Sequence, residues 1–441
     1  MFMRKLLKKV VAGVIAASVM AVSVFASPAD AYAASAGRVP SGISRIGKGT
    51  INIYSWDNDL EAQVRLFKKT YPKYADQVNY VNLNMSGISD EYHNALDNKV
   101  RNGGSSAPDI ICWDSDDIGY GMSKSYTVPL VNIGFDARWY NKAYNYTKVL
   151  GKKNGRLTAI ATTVYPGAYI YNRKAAKTAF GTDYSITVQS KVKNWGTFLA
   201  SAKTAKSKGI KMVSGVGDTY PALLYSSTTA LSKNGSMQFP SNVATMYNVS
   251  KSLKNGNYTN NTTQWTSEWS NDMGNPRVLG YFAPSWLVQI MPYSCPNVNL
   301  KNYALVEGPA DYYWGGSFLT ATNKCHNKGL AQLFLYTVAC NKDFQCKYAV
   351  VSDTVPNNMA ATAKIINAKI GTRKFGTAND PYKVYDKVAR KIKGRPATKY
   401  DMQVDSSLSS GIYYLGLGEI SSYKEFRYVV RSEVQRTTPL Y

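Results

Sequence analysis

Apolar and polar residues alternate from Ile51 to Trp56 (INIYSW), the period of a strand. The next stretch changes period. Leu60, Val64, Phe67 and Tyr71 fall at helical spacing on one stripe, with Asp57 and Asn58 placed to cap the helix, Glu61 in its first turn and Tyr71-Pro72 ending it. Val78–Leu83 predicts a second strand. Tyr92, Leu96 and Val100 form a second helical stripe, closed by Asn102-Gly103-Gly104. Pro108 then precedes a short apolar run, Ile110-Ile111-Cys112, which reads as a buried strand. Strand and helix alternate throughout this region, which predicts an α/β unit with a parallel sheet covered by helices.

The third strand runs into Trp113 and three carboxylates, Asp114, Asp116 and Asp117. Loops at the carboxyl ends of parallel strands hold ligands in open α/β sheets. An indole face beside fixed acceptors suits a sugar, whose ring carbons stack and whose hydroxyls donate. The competing structural role is a βα loop whose aspartates cap the following helix.

Further on, Leu157–Asn172 is an extended run broken at Pro166-Gly167, suited to a strand that leaves one lobe and enters another. Trp195 opens a helix with Phe198, Leu199 and Ala202 inward and Gly209 at its end. Lys211–Ser214 reads as a strand. Residues 231–277 are polar, with helices joined by long loops and two tryptophans, Trp265 and Trp269, that fit no pattern. Arg277–Ile290 is strongly apolar and carries Trp286 after a Pro-Ser turn. Tyr303–Pro309 predicts a strand, Trp314-Gly315-Gly316 precedes another apolar run, and Leu330–Val338 a helical stripe. Residues 360–441 are mostly helical in pattern.

Composition fits a large globular chain: 441 residues, 44% apolar and 18% charged. Arg4, Lys5, Lys8 and Lys9 ahead of the apolar Val10–Ala26, with small residues at Ala29, Ala31 and Ala33, form a secretory signal over 1–33. Uncleaved, that segment would anchor the chain in a membrane. Past it, 49 basic residues face 27 acidic ones, a net +22. The lysines are scattered and no nucleic-acid motif accompanies them, so the charge is assigned to a solvated surface that aids retention at an anionic cell wall or membrane. Five cysteines in an exported chain leave one thiol over, and a pairing is expected among Cys325, Cys340 and Cys346, with Cys112 a buried apolar residue. With only His93 and His326 and no Cys-x-x-Cys, neither a zinc site nor another cofactor is expected.

From Ile51 to about Met359 the order of these pieces resembles the family 1 extracellular solute-binding proteins of ABC importers, in the sugar-binding group that includes maltose-binding protein. PDIICWDSDDIGYGMSKSYTVPL resembles that group's strand and ligand loop, and INIYSWDNDLEAQVRLFKKTYP its first βα unit. LTAIATTVYPGAYIYNRKAA resembles the first crossing between lobes, VKNWGTFLASAKTAKSKGI the helix after it, and YALVEGPADYYWGGSFLTATNKC the return. The resemblance implies a two-lobed periplasmic-binding-protein-like fold of type II, each lobe a sheet covered by helices, with the ligand cleft at the hinge. The expected parts are a linker over 34–49, a first lobe from 50–165 plus 303–358, and a second from 166–302 plus 359–441. Position by position, it implies ligand contacts at Trp56, Asp57, Trp113, Asp114 and Asp116 in the first lobe. In the second it implies Tyr169, Tyr220, Trp286 and Trp314.

The implied function is a monomeric extracellular or periplasmic receptor that captures a carbohydrate, an oligosaccharide by expectation, for an importer's membrane permease. No cysteine stands at the cleavage region to carry a lipid, and the tail beyond about Tyr400 falls outside the resemblance. A second function keeps the fold but binds a polyamine or other cationic solute through Asp57, Asp114, Asp116 and Asp117. A third, a glycoside hydrolase, needs an acid and a partner carboxylate roughly 5–10 Å apart. The clustered aspartates and Glu307 supply no recognisable pair of this kind.

Overall fold

The computed structural model describes residues 37–56, 58–373, 375 and 379–441; the signal segment and Asp57 lie outside the described residues. In chain order the main elements begin with β1 (Ile51–Ser55), α1 (Asp59–Thr70), β2 (Val78–Asn82), α2 (Asp90–Asn102), β3 (Ile110–Asp114), α3 (Ile118–Ser123), β4 (Thr127–Val128), β5 (Ala159–Ala161) and β6 (Thr163–Val164). Then follow β7 (Gly167–Asn172), α4 (Arg173–Phe180), α5 (Trp195–Ser207), α6 (Ser241–Asn255), α7 (Ser267–Asp272), β8 (Gly280–Pro284), α8 (Ser285–Ser294) and β9 (Tyr303–Val306). The chain continues with β10 (Ser317–Thr322), α9 (Lys328–Cys340), α10 (Lys342–Ser352), β11 (Val355–Pro356), α11 (Met359–Asn367), α12 (Pro381–Lys391), α13 (Asp401–Leu417) and α14 (Tyr423–Gln435).

These elements divide into two units. The first holds described residues up to Val164 with 315–364 and 396–399, and the second holds 165–314, 365–395 and 400–441. In the first unit β2, β1 and β3 run parallel, as the alternating pattern predicts, and β10 enters antiparallel between β3 and β4, with β5 also on β10. The sheet is therefore mixed. α1 buries Leu60, Val64 and Phe67 on it, with Asp59 and Glu61 at its start and Lys68 and Lys69 at its end, signs that suit the helix dipole. The Phe67 ring meets Phe334 of α9 edge-on at 5.2 Å, in one core with Ile51, Ile53, Ile110, Cys112 and Leu319. The Asn58 side chain does not cap α1; its Oδ1 accepts from Asn82 at 2.6 Å.

The second unit is built on a three-stranded antiparallel sheet, β8-β7-β9, whose central strand β7 is buried along its whole length. Because β9 pairs with β7, residues 303–314 belong here and not to the first unit, where the sequence boundary at 303 put them. The expected strand over Lys211–Ser214 reduces to one bridge, Lys211 to Val278, because the following backbone bonds to Tyr258 and the loop beyond it. Residues 37–49 are no free linker. Ser44 N donates to Gln332 Oε1 (2.9 Å), Gly47 N to Asn327 Oδ1 (3.1 Å), and Asn327 Nδ2 returns a bond to Gly49 O (2.6 Å), which straps the segment along α9.

No disulfide joins any of the five cysteines, four of them buried and Cys340 half-buried, so the expected disulfide is absent. Burial, ahead of the neighbouring Asp109, pushes the Cys325 thiol up to about 12, and burial raises Cys346 to about 11. Thiolate is the reactive form. At pH 8 a soluble thiol reagent should therefore leave the native protein essentially unlabelled and label five sites after denaturation. Rapid labelling of two or more sites without denaturant would contradict this packing. No helix among the described residues is long and apolar enough to cross a membrane.

Candidate functional site

In the first unit, the polar groups at the carboxyl ends of β1 and β3 have separate tasks. Trp113 is fully buried. Its Nε1 donates to Thr320 Oγ1 at 2.9 Å, and its ring meets Tyr92 and Tyr120 edge-on, each at 6.2 Å. Gly121 packs on the same ring: a Cβ there would lie 2.4 Å away. Trp113 is thus a core residue, and the expectation that it offers a stacking face is corrected. Asp117 is also buried, its Oδ2 2.8 Å from His93 Nε2, and burial raises its carboxyl while the histidine opposes the rise. Its side chain makes no cap bond to α3.

Asp114 and Asp116 are half-buried. Asp114 Oδ1 accepts from Asp116 N at 2.9 Å, which folds the loop into an Asx turn. Ser115 N fastens that loop to Gly316 O at 2.8 Å. Trp56, directly after β1, is half-buried with its ring against Gly87, and its buried Nε1 has no hydrogen-bond partner among the described residues. Of the five expected first-unit contacts, the structure leaves Trp56, Asp114 and Asp116 at this edge, moves Trp113 into the core, and does not describe Asp57.

In the second unit, two of the four expected residues are interior. Tyr169 is wholly buried on β7, its hydroxyl donating to Met212 O at 2.7 Å and its ring packed on Phe282 and Phe198. Tyr220 is 8% exposed and its hydroxyl bonds Asp405, from its carbonyl (2.7 Å) to its carboxylate, alongside Tyr225. Both expectations are corrected. Tyr169 locks the sheet, and Tyr220 fastens α13, a helix that the sequence comparison left unassigned.

Trp286 and Trp314 do come together. Trp286 sits in the first turn of α8, not in a free turn, and its Nε1 donates to Trp314 O at 2.9 Å. The two rings meet at 4.8 Å and 69°. Trp265 joins them, nearly parallel to Trp286 (5.9 Å, 19°) and 6.0 Å from Trp314. All three indoles are half-buried, so one compact aromatic surface remains open to solvent. Behind it lies Trp269, 1% exposed, 5.1 Å from Trp265, with Nε1 donating to Asp218 Oδ1 at 2.7 Å. Trp265 was visible in the sequence only as an unplaced aromatic in a polar stretch. The surface can stack on the apolar face of a sugar ring. Among the described residues no cluster of His, Cys, Asp or Glu has metal-holding geometry.

No protein-family model matches the chain, and no curated protein sequence does. Solved structures do match across nearly their whole length. One is an extracellular solute-binding protein of family 1, 15% identical, covering 88% of this chain and 99% of that chain at a TM-score of 0.73. Another is the galacto-N-biose/lacto-N-biose I-binding protein of an ABC transporter from Bifidobacterium longum, 13% identical, with 90% and 97% covered at 0.66. A third is the cyclic α-maltosyl-1,6-maltose binding protein of Arthrobacter globiformis, 13% identical, with 88% and 100% covered at 0.66. The chain therefore has the periplasmic-binding-protein-like α/β fold of these solute-binding proteins.

Proposed function

We propose that the protein captures a carbohydrate, most simply an oligosaccharide, outside the cytoplasm and hands it unchanged to the membrane permease of an ABC importer. The observation that carries this is the open surface of Trp265, Trp286 and Trp314. Three indoles in contact, one of them pinned by its own N–H, present rigid apolar area at little entropic cost, the requirement for stacking on a sugar. The likeness to sugar-binding solved structures supports the same reading. Within the first unit, Trp56, Asp114 and Asp116 stand at the strand ends as further candidates for ligand contact. The protein acts as a monomer, and its net positive charge retains it near anionic surfaces; that retention should weaken steadily as salt rises.

Thermal-shift screening tests the ligand class. Maltotriose, lacto-N-biose, β-1,6-galactobiose and spermidine are compared on the purified mature protein. A ligand at a hundred times its Kd stabilises by about 2.7 kcal/mol, a shift of several degrees. A sugar should give that shift. A shift with spermidine alone would transfer the function to cationic solutes, and release of reducing sugar would make the protein an enzyme.

A further inference from the structure

We propose that Trp265 is a sugar-contacting, specificity-determining residue, and that Asp218 is the buried positioning residue that holds it in place. The proposal rests on the carbohydrate reading above. Trp265 has a left-handed backbone, φ 71°. Among the described residues, the other seven non-glycine residues with such a backbone are five asparagines, Asp353 and Lys369, so a bulky aromatic there is the exception. Such a conformation is strained and persists only where the surroundings hold it.

Asp218 supplies the hold from both sides. Its carboxylate accepts from Trp269 Nε1 at 2.7 Å and from the Gln264 side chain, the residue directly before Trp265. Its other oxygen accepts from Gly215 N at 2.8 Å, which fixes the carboxylate to its own turn. Between Gln264 and Trp269, the Thr266 hydroxyl accepts from Trp269 N (3.3 Å) and caps α7. The turn carrying Trp265 is therefore tied at each end to one carboxylate, and its ring is set parallel to Trp286.

Asp218 is wholly interior. Burial lifts its carboxyl to about 6, against the pull of these donors. The other groups around it are Tyr169, Tyr281 and Asp272. Burial first, and Asp218 after it, raises both phenols. Asp272 is reached through Ser214 Oγ, which donates to its Oδ2 at 2.7 Å. Protonating Asp218 removes the charge that strengthens the indole bond and puts a proton among donors. The tie should loosen as pH falls through about 6.

The test uses mature protein, near-UV circular dichroism of the tryptophans, and calorimetry with maltotriose, lacto-N-biose and β-1,6-galactobiose. In the parent, the tryptophan signal should change as pH falls through 6. Asp218→Asn should abolish that titration. Trp269→Phe keeps an aromatic ring and removes one of the donors; it should diminish that titration, and decides the point if Asp218→Asn fails to fold. Trp265→Ala should leave the melting temperature within a few degrees and weaken the bound sugar tenfold or more. Retention of the titration in both positioning variants would overturn the role of Asp218. Parental affinity in Trp265→Ala would overturn the role of Trp265. If no sugar binds the parent, the carbohydrate reading and the ligand role of Trp265 both fall, while the spectral arm still decides whether Asp218 positions the turn.

Discussion

Trp113→Ala is expected to destabilise the first unit by about 3–5 kcal/mol, the range for emptying a large buried aromatic site. The indole lies at 0% exposure between Tyr92, His93 and Tyr120, and its removal also leaves the Thr320 hydroxyl without its indole donor. Gly121 lies against the vacated face and can relax only partly, since Ile118 and Met122 bury α3 on either side of it. Denaturant unfolding of parent and variant measures this. Trp113→Phe should recover part of the loss because it refills the volume but not the hydrogen bond. An unchanged midpoint, with weakened ligand binding, would return Trp113 to the ligand site.

Trp286→Ala should behave in the opposite way. The residue is only partly buried, so its loss costs the fold less than emptying a core site, about 1–2 kcal/mol. It touches both other rings, as each of the three does, and its N–H also fixes the Trp314 carbonyl. Binding surfaces concentrate their energy in such central aromatic anchors, typically about 2 kcal/mol or more. Affinity should fall by about thirtyfold or more, read by titration calorimetry. A variant that binds as the parent does would detach this surface from ligand capture.

The two predictions separate what was legible in the chain from what was not. β1 follows from the period of 2, α1 and α2 from the period of 3.6, and β3 from a short apolar run, because each element meets its core neighbours through residues that the pattern marks. Trp113 was misread for a physical reason. β3 is covered on both faces, so its buried run does not show which way its last aromatic points, and the acceptor for its N–H stands on β10, 207 residues away. The acids beside it looked like one cluster, yet Asp117 is taken up by His93 from α2.

Trp286 and Trp314 were singled out in the sequence because a Pro-Ser turn and a glycine pair flank them. Trp265 was not. Its left-handed backbone is a position where sequence leads one to expect glycine or asparagine, and its anchor, Asp218, lies 51 residues from the tryptophan that links them. The reassignment of 303–314 has the same origin: Tyr303–Val306 looks like any short buried strand until its partner β7 is known.

Isothermal titration of the mature protein with the oligosaccharide panel and with spermidine tests the central claim most directly. One oligosaccharide should bind with one-to-one stoichiometry and micromolar affinity, about −8 kcal/mol, and be recovered intact. Trp286→Ala should lose most of that affinity with the protein still folded. Binding of spermidine alone, or an oligosaccharide affinity unchanged by Trp286→Ala, would contradict the account.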